Sequence, residues 1–166
     1  MKLLHGALVV VLLAAFLAAP AGAVTVHHLT IMVSGNGDAQ VDVQYDLNWL
    51  EQAVVFTRIA DPGTELTSAL ETNFDVTVDV TSVDTRQASV LVQHFAAVDS
   101  LPGGTRYVTP ELSFGKAQRA LNRYWFAPFV SADFSPDVTR IVFPDGYSEE
   151  FYNQMDIPSI SHTTGI

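Results

Sequence analysis

No cysteine occurs among the 166 residues, so disulfides cannot staple the chain and no thiol is present to act as nucleophile or metal ligand. Stability must come from buried apolar area instead. Basic residues are scarce: eight Lys and Arg stand against 18 Asp and Glu, for a formal net charge of −10. Nucleic-acid binding rests on phosphate neutralisation by Lys and Arg, so such a surface repels nucleic acid, and it disfavours anionic membrane surfaces for the same reason. The chain has no Asn-x-Ser/Thr sequon for a glycan and no Gly-x-Ser-x-Gly elbow for a serine hydrolase. A long apolar run is found only at the start.

That run has the grammar of an export signal. Met1-Lys2 is a short basic start, and Leu3 to Ala19 is rich in Leu, Val and Ala, interrupted by His5 and Gly6. Pro20 breaks the apolar helix. Ala21 and Ala23 then place small side chains where signal peptidase requires them, which sets the expected cut between Ala23 and Val24. An uncleaved anchor is the rival, because a span needs roughly 17 to 25 apolar residues; Pro20 and the small-residue tail argue against it. With no cysteine after the run, a lipidated N-terminus of the bacterial lipoprotein type is excluded. No second run follows, so no membrane span is expected after signal removal. Loss of Lys2 takes the formal charge from −10 to −11 and leaves residues 24–166 as one exported domain of ordinary size.

Three hairpins are expected within it. Residues 24–47 carry β-formers up to Ser34, the reversal Gly35-Asn36-Gly37-Asp38, then Val41, Val43, Tyr45 and Leu47 alternating with polar residues. In residues 75–97, Val76, Val78 and Val80 alternate with Thr77, Asp79 and Thr81, and Ala88 to Ala97 supplies the partner strand. The third joins Val138–Phe143 to Tyr147–Tyr152 through Pro144-Asp145-Gly146, where proline presets φ and glycine takes the left-handed position. Leu101-Pro102-Gly103-Gly104 is a turn, too short for an inter-domain linker. The tail 156–166 lacks periodicity and is expected to lie irregularly along the surface.

Helical spacing appears between the hairpins. Asn48 and Glu51 have the form of a capping box opening a short helix. Asp61-Pro62 caps a helix near 62–73, with Leu66, Ala69, Leu70 and Phe74 on one face. Thr109-Pro110-Glu111 has cap, first-turn proline and first-turn acid in order, predicting a helix over 110–124 with Phe114, Ala117, Leu121 and Tyr124 inward. The expected fold class is therefore α+β: antiparallel hairpins in one or two sheets, with two or three short helices packed on one face. Core positions would be Val41, Val43, Tyr45, Leu47, Leu66, Leu70, Val76, Val78, Val80, Val90, Val92, Phe114, Leu121, Ile141 and Phe143.

Candidate chemistry is sparse. His27 and His28 are adjacent, so on a strand they point to opposite faces and do not share one ion; one inward, hydrogen-bonded ring and one solvated ring are expected. His94 falls inside an apolar strand and His162 in the tail. Asp133-Phe134-Ser135-Pro136-Asp137 with Asp145 gathers carboxylates, but at the spacing of turn and capping residues, not that of a calcium loop. No cofactor motif is present. Lys116, Arg119 and Arg123 stand at i, i+3 and i+7, opposite the apolar side of their expected helix. This stripe is either a solvated face of weak ion pairs or the contact for an anionic partner, another envelope protein or a second copy of the chain.

Gly37-Asp38-Ala39 leading into alternating valines, Tyr45-x-Leu47, Val108-Thr109-Pro110, and Asp133-Phe134-Ser135-Pro136-Asp137 running on to Phe143-Pro144-Asp145-Gly146-Tyr147 resemble small exported proteins of methanogenic archaea. The resemblance implies an archaeal cell-surface setting and no activity. Two function classes follow. A non-catalytic binding or envelope-structural domain would keep an exposed apolar patch or an unpaired strand edge. A secreted hydrolase-type enzyme, its triad or metal site assembled from dispersed residues, would instead bring His28 or His94 within reach of an acid and a hydroxyl in a concave pocket.

Overall fold

The computed structural model describes residues 25–46, 77–84, 86–115 and 135–165. Eleven strands occupy most of them: β1 (Thr25–Val33), β2 (Ala39–Asp46), β3 (Val78–Val83), β4 (Gln87–Val92), β5 (Ala97–Leu101), β6 (Gly104–Val108), β7 (Leu112–Ser113), β8 (Val138–Val142), β9 (Ser148–Tyr152), β10 (Asp156–Ile157) and β11 (Ser161–Gly165). They form a six-stranded sheet in the order β3-β4-β2-β1-β8-β9, a three-stranded sheet β11-β6-β5 and a two-stranded β10-β7 pair.

The large sheet is built from period-2 patterning. Val26, Leu29 and Ile31 of β1, Val41, Val43 and Tyr45 of β2, Ala88, Val90 and Val92 of β4, and Thr139 and Ile141 of β8 share one buried face. Gln40, Asp42, Gln44, Ser89 and Arg140 occupy the other. There Asp42 accepts from Ser89 Oγ at 2.6 Å and from Gln40 Nε2 at 3.2 Å. A one-residue slip would reverse the two faces, so burial fixes the register. All neighbours in this sheet are antiparallel except β1 and β8, which run parallel from His28↔Val138 to Met32↔Val142.

The β1–β2, β3–β4 and β8–β9 hairpins lie where the alternation places them. Val41, Val43, Tyr45, Val90, Val92, Phe114, Ile141 and Phe143 are buried as expected, and Val80 is half-buried. Leu47, Leu66, Leu70, Val76, Leu121, the side chain of Val78 and the helices expected from Asn48 and near 62–73 lie outside the described residues.

The α+β expectation is overturned. The described residues are 63% strand and contain no helix packed on a sheet. The expected helix start at Thr109-Pro110-Glu111 is instead a join between strands. Thr109 N–H donates to Ile160 O at 2.9 Å, Thr109 Oγ1 accepts from Ile160 N–H at 3.0 Å, and Ser159 Oγ donates to Thr109 O at 2.5 Å. The hydroxyl that would cap a helix thus serves a backbone group 51 residues away. Leu112–Ser113 then pairs with Asp156–Ile157, and Phe114 N–H reaches Met155 O. Consequently 104–114 and 155–165 form one long antiparallel arm, β6 on β11 and β7 on β10, interrupted at Pro110 and Pro158, which have no N–H to give the ladder. The tail expected to be irregular is the second strand of that arm.

A further hairpin was hidden in the expected 75–97 partner strand. β4 stops at Val92 because His94 adopts φ +54° and donates its backbone N–H to Asp38 Oδ1 at 2.8 Å. Ala96 N–H then reaches Gly37 O at 2.8 Å, and Ala97 opens β5, which returns as β6 through Pro102-Gly103. His94 is therefore an exposed turn residue, not a strand residue. Among the described residues no helix is long and apolar enough to cross a membrane.

Candidate functional site

The β1–β2 turn, the β4–β5 loop and the β8–β9 turn lie at one end of the six-stranded sheet, and the three-stranded sheet docks there. Tyr107 of β6, 5% exposed, donates its hydroxyl to Gly35 O at 3.2 Å. His162 of β11 stacks on Tyr147 with ring centroids 4.2 Å apart and planes 9° apart, and lies 4.9 Å from Phe143. Its Nε2 meets Asp145 Oδ2 at 2.8 Å. That bond, and then the Tyr147 backbone N–H, hold the Asp145 carboxyl below its ordinary value. Asp38 is likewise held low, first by the His94 N–H and then by Asn36. These groups tie turns together.

The opposite end carries a different cluster. His27 is an extra residue on β1: Val26 pairs with Tyr45 and His28 with Gln44, so a bulge leaves His27 unpaired in the β1–β2 ladder. Its Nδ1 stands 2.8 Å from Asp137 Oδ2 and its Nε2 3.1 Å from Asp46 Oδ2. The two nitrogens face different carboxylates on opposite sides of the ring, so this is a clamp and not a chelate. The hydrogen bond to Asp137, then that to Asp46, raise the His27 pKa above 6.5.

Among the described residues β3, β9, β11 and β5 each end a sheet, and β5 is the one of these edge strands with all its residues exposed and apolar side chains among them. β5 ends the three-stranded sheet, and all five of its residues are exposed, including Val98 and Leu101 at 38% and 40%. A two-residue loop closes the β5–β6 hairpin, so Leu101 and Gly104 exchange both backbone bonds, as do Asp99–Arg106 and Ala97–Val108. By that alternation the N–H and C=O groups of Val98 and Ser100 point away from β6, and no described strand pairs with them. Arg106 donates to Asp99 Oδ2 at 2.6 Å across the hairpin, which stiffens it without covering the edge.

The residues singled out from sequence fare differently. Ala21, Ala23 and Val24 at the expected cleavage site, and Lys116, Arg119 and Arg123 of the basic stripe, lie outside the described residues. His28 is exposed as expected, but the hydrogen-bonded His27 ring is not inward: it bridges two surface acids and is itself 37% exposed. His28 and His94 are not brought together: His28 is in register with Gln44 and His94 lies beyond Val92, the partner of Ala39, about 17 Å along the strands. Asp137 and Asp145 flank β8 at its two ends and do not converge. Among the described residues no group of three or more His, Asp or Glu is placed to hold a metal ion.

Sequence reading missed two features. The His27 clamp was signalled by a phase slip, since Leu29, Ile31 and Val33 alternate in one phase and Val26 is in the other, which a strand reconciles only with a bulge. A Ser-x-x-Lys spacing, expected to be absent, is present as Ser113-Phe114-Gly115-Lys116. Ser113 is 4% exposed with its hydroxyl bonded to Asp156, and Lys116 is outside the described residues.

No family model matches this chain, and no curated protein or solved structure matches it.

Proposed function

We propose that this chain is an exported domain of the cell surface with a non-catalytic, binding or envelope-structural role, and that it recruits an extended strand of another envelope protein along β5. The observation that carries the reading is the open β5 edge. It offers the N–H and C=O groups of Val98 and Ser100 in register, flanked by two exposed apolar side chains. A partner strand satisfies those groups with main-chain bonds, the usual route by which sheets take up a peptide. The histidines offer a contrast: His27 and His162 are committed to holding segments of this fold together. The Leu3–Ala19 run with Ala21 and Ala23 supports export, and the archaeal setting follows from the resemblance alone.

The test is site-specific photo-crosslinking in cells that make the full chain. A probe at Leu101 is expected to give one dominant protein adduct in the envelope fraction, and Ser100→Pro, which deletes an outward N–H, is expected to remove it. A probe at Gln44, on the polar face of the large sheet, is the control. Equal adducts from both positions, or an adduct insensitive to Ser100→Pro, would contradict strand addition. An N-terminus other than Val24 on the envelope form would contradict the cleavage site.

A further inference from the structure

His27 joins two parts of the large sheet that chain connectivity does not. β1 and β2 belong to the N-terminal four strands β3-β4-β2-β1, while β8 and β9 form the C-terminal hairpin. The parallel β1–β8 ladder is their junction within the sheet, and it begins at His28↔Val138, one residue beyond the bulge. Asp46 is the last residue of β2, and Asp137 immediately precedes β8. The backbone of Asp137 is itself held on both sides: its N–H donates to Val26 O at 3.3 Å, and its carbonyl accepts from Asn153 N–H at 3.0 Å. Movement of Asp137 is thus felt at the ends of both the β1–β8 and the β8–β9 ladders.

The geometry of the clamp dictates its protonation. Ionised carboxylates only accept hydrogen bonds, so each of the two contacts, 2.8 Å at Nδ1 and 3.1 Å at Nε2, needs an N–H on the ring. A neutral imidazole has one. Deprotonation therefore leaves one carboxylate facing a ring lone pair, and the contact turns repulsive. We propose that His27 is a proton-operated latch, whose doubly protonated ring bolts the end of β2 to the entry of β8 and whose deprotonation loosens the junction between the N-terminal four strands and the C-terminal hairpin.

The charged groups facing the ring are Asp46 from β2 and Asp137 from the entry to β8; no other described charge acts on it. The ring is 37% exposed and the carboxylates 74% and 54%, so solvent protons reach the latch without any opening of the fold. Both acids raise the proton affinity of the folded form. With a raised folded pKa, the latch contributes fully below the ordinary value of 6.5 and is lost as pH rises through the folded value. An exported domain would meet that change directly from its surroundings.

The experiment follows the full chain by NMR. The His27 ring signal is titrated, and amide exchange of Val138, Thr139 and Arg140 is measured at each pH and corrected for the intrinsic rate. The expected results are a His27 midpoint above 6.5, and β8 protection that falls as pH rises through that midpoint. His27→Gln should flatten the dependence, and Asp137→Asn should move the midpoint down while keeping the side-chain shape. A midpoint at or below 6.5, pH-independent protection in the parent, or an unchanged pH dependence in either variant would overturn the latch. Asp137→Asn keeps the test decisive if His27→Gln does not fold.

Discussion

Replacing Gly37 by alanine should loosen the small sheet from the end of the large one. Gly37 has φ +88°, and a Cβ there would stand 2.5 Å from Ala96 O and 2.7 Å from Val98 Cγ2. A side chain in the left-handed conformation costs ~1–2 kcal/mol, and relieving an overlap in a packed contact costs ~1–3 kcal/mol more. The Ala96 N–H to Gly37 O bond, 2.8 Å, lies in the same contact and is strained with it. Gly37→Ala is therefore expected to cost on the order of 3 kcal/mol. Gly146 provides an internal control: its φ is +87°, but nothing lies within 4 Å of its added Cβ, so Gly146→Ala should cost only about 1 kcal/mol. At about 2–4 °C per kcal/mol for a domain of this size, thermal unfolding followed by circular dichroism should show Tm falling by roughly 9 °C and roughly 3 °C respectively. Equal losses from the two variants would refute the close approach of the β1–β2 turn to the β4–β5 loop.

Other outcomes follow from burial and charge. Ile31 is fully buried and Met32 is 39% exposed, so Ile31→Ala should cost about 2–5 kcal/mol and Met32→Ala within about 0.5 kcal/mol, read by urea unfolding. Asp145 is held low by His162 and then by the Tyr147 N–H, so its contribution is present above the ordinary carboxylate value of 3.8 and lost as pH falls through the lowered one. Asp145→Asn should therefore lower Tm at pH 6, and the difference from the parent should shrink as pH falls below 3.8. Burial, and then the charge of Asp84, push the Tyr45 phenol well above its ordinary value. Ultraviolet titration should find this tyrosine still protonated at pH 11 in the folded chain and ionised there once the chain unfolds.

The sequence made the local hairpins legible because their signals are local. Alternating valines in 39–46 and the Pro144-Asp145-Gly146 turn specify strands and reversal within a few residues of each other. What it concealed depends on partners far along the chain. Thr109-Pro110-Glu111 satisfies every local rule for a helix start, yet its hydroxyl and its N–H are taken by Ile160, and its proline marks a break in a strand pair. Residues 156–165 have no periodicity to read, since β11 is polar on both faces and gains its structure from β6. The apolar run through Ala97 hid a reversal because His94, a residue without the freedom of glycine, takes the left-handed conformation with Asp38 securing its N–H. Of the candidate sites, the edge of β5 had no signature, because an edge is defined by which strand is missing beside it. The His27 clamp had one, the phase slip between Val26 and Leu29, although its two acids sit 19 and 110 residues away.

The most direct test of the open β5 edge is the yield of the Leu101 photo-adduct in the parent chain against Ser100→Pro, with Tm measured on both. Strand addition along β5 predicts that the adduct disappears while Tm stays within a few degrees, because the Ser100 N–H faces away from β6. An adduct of undiminished yield in a folded Ser100→Pro chain would contradict it.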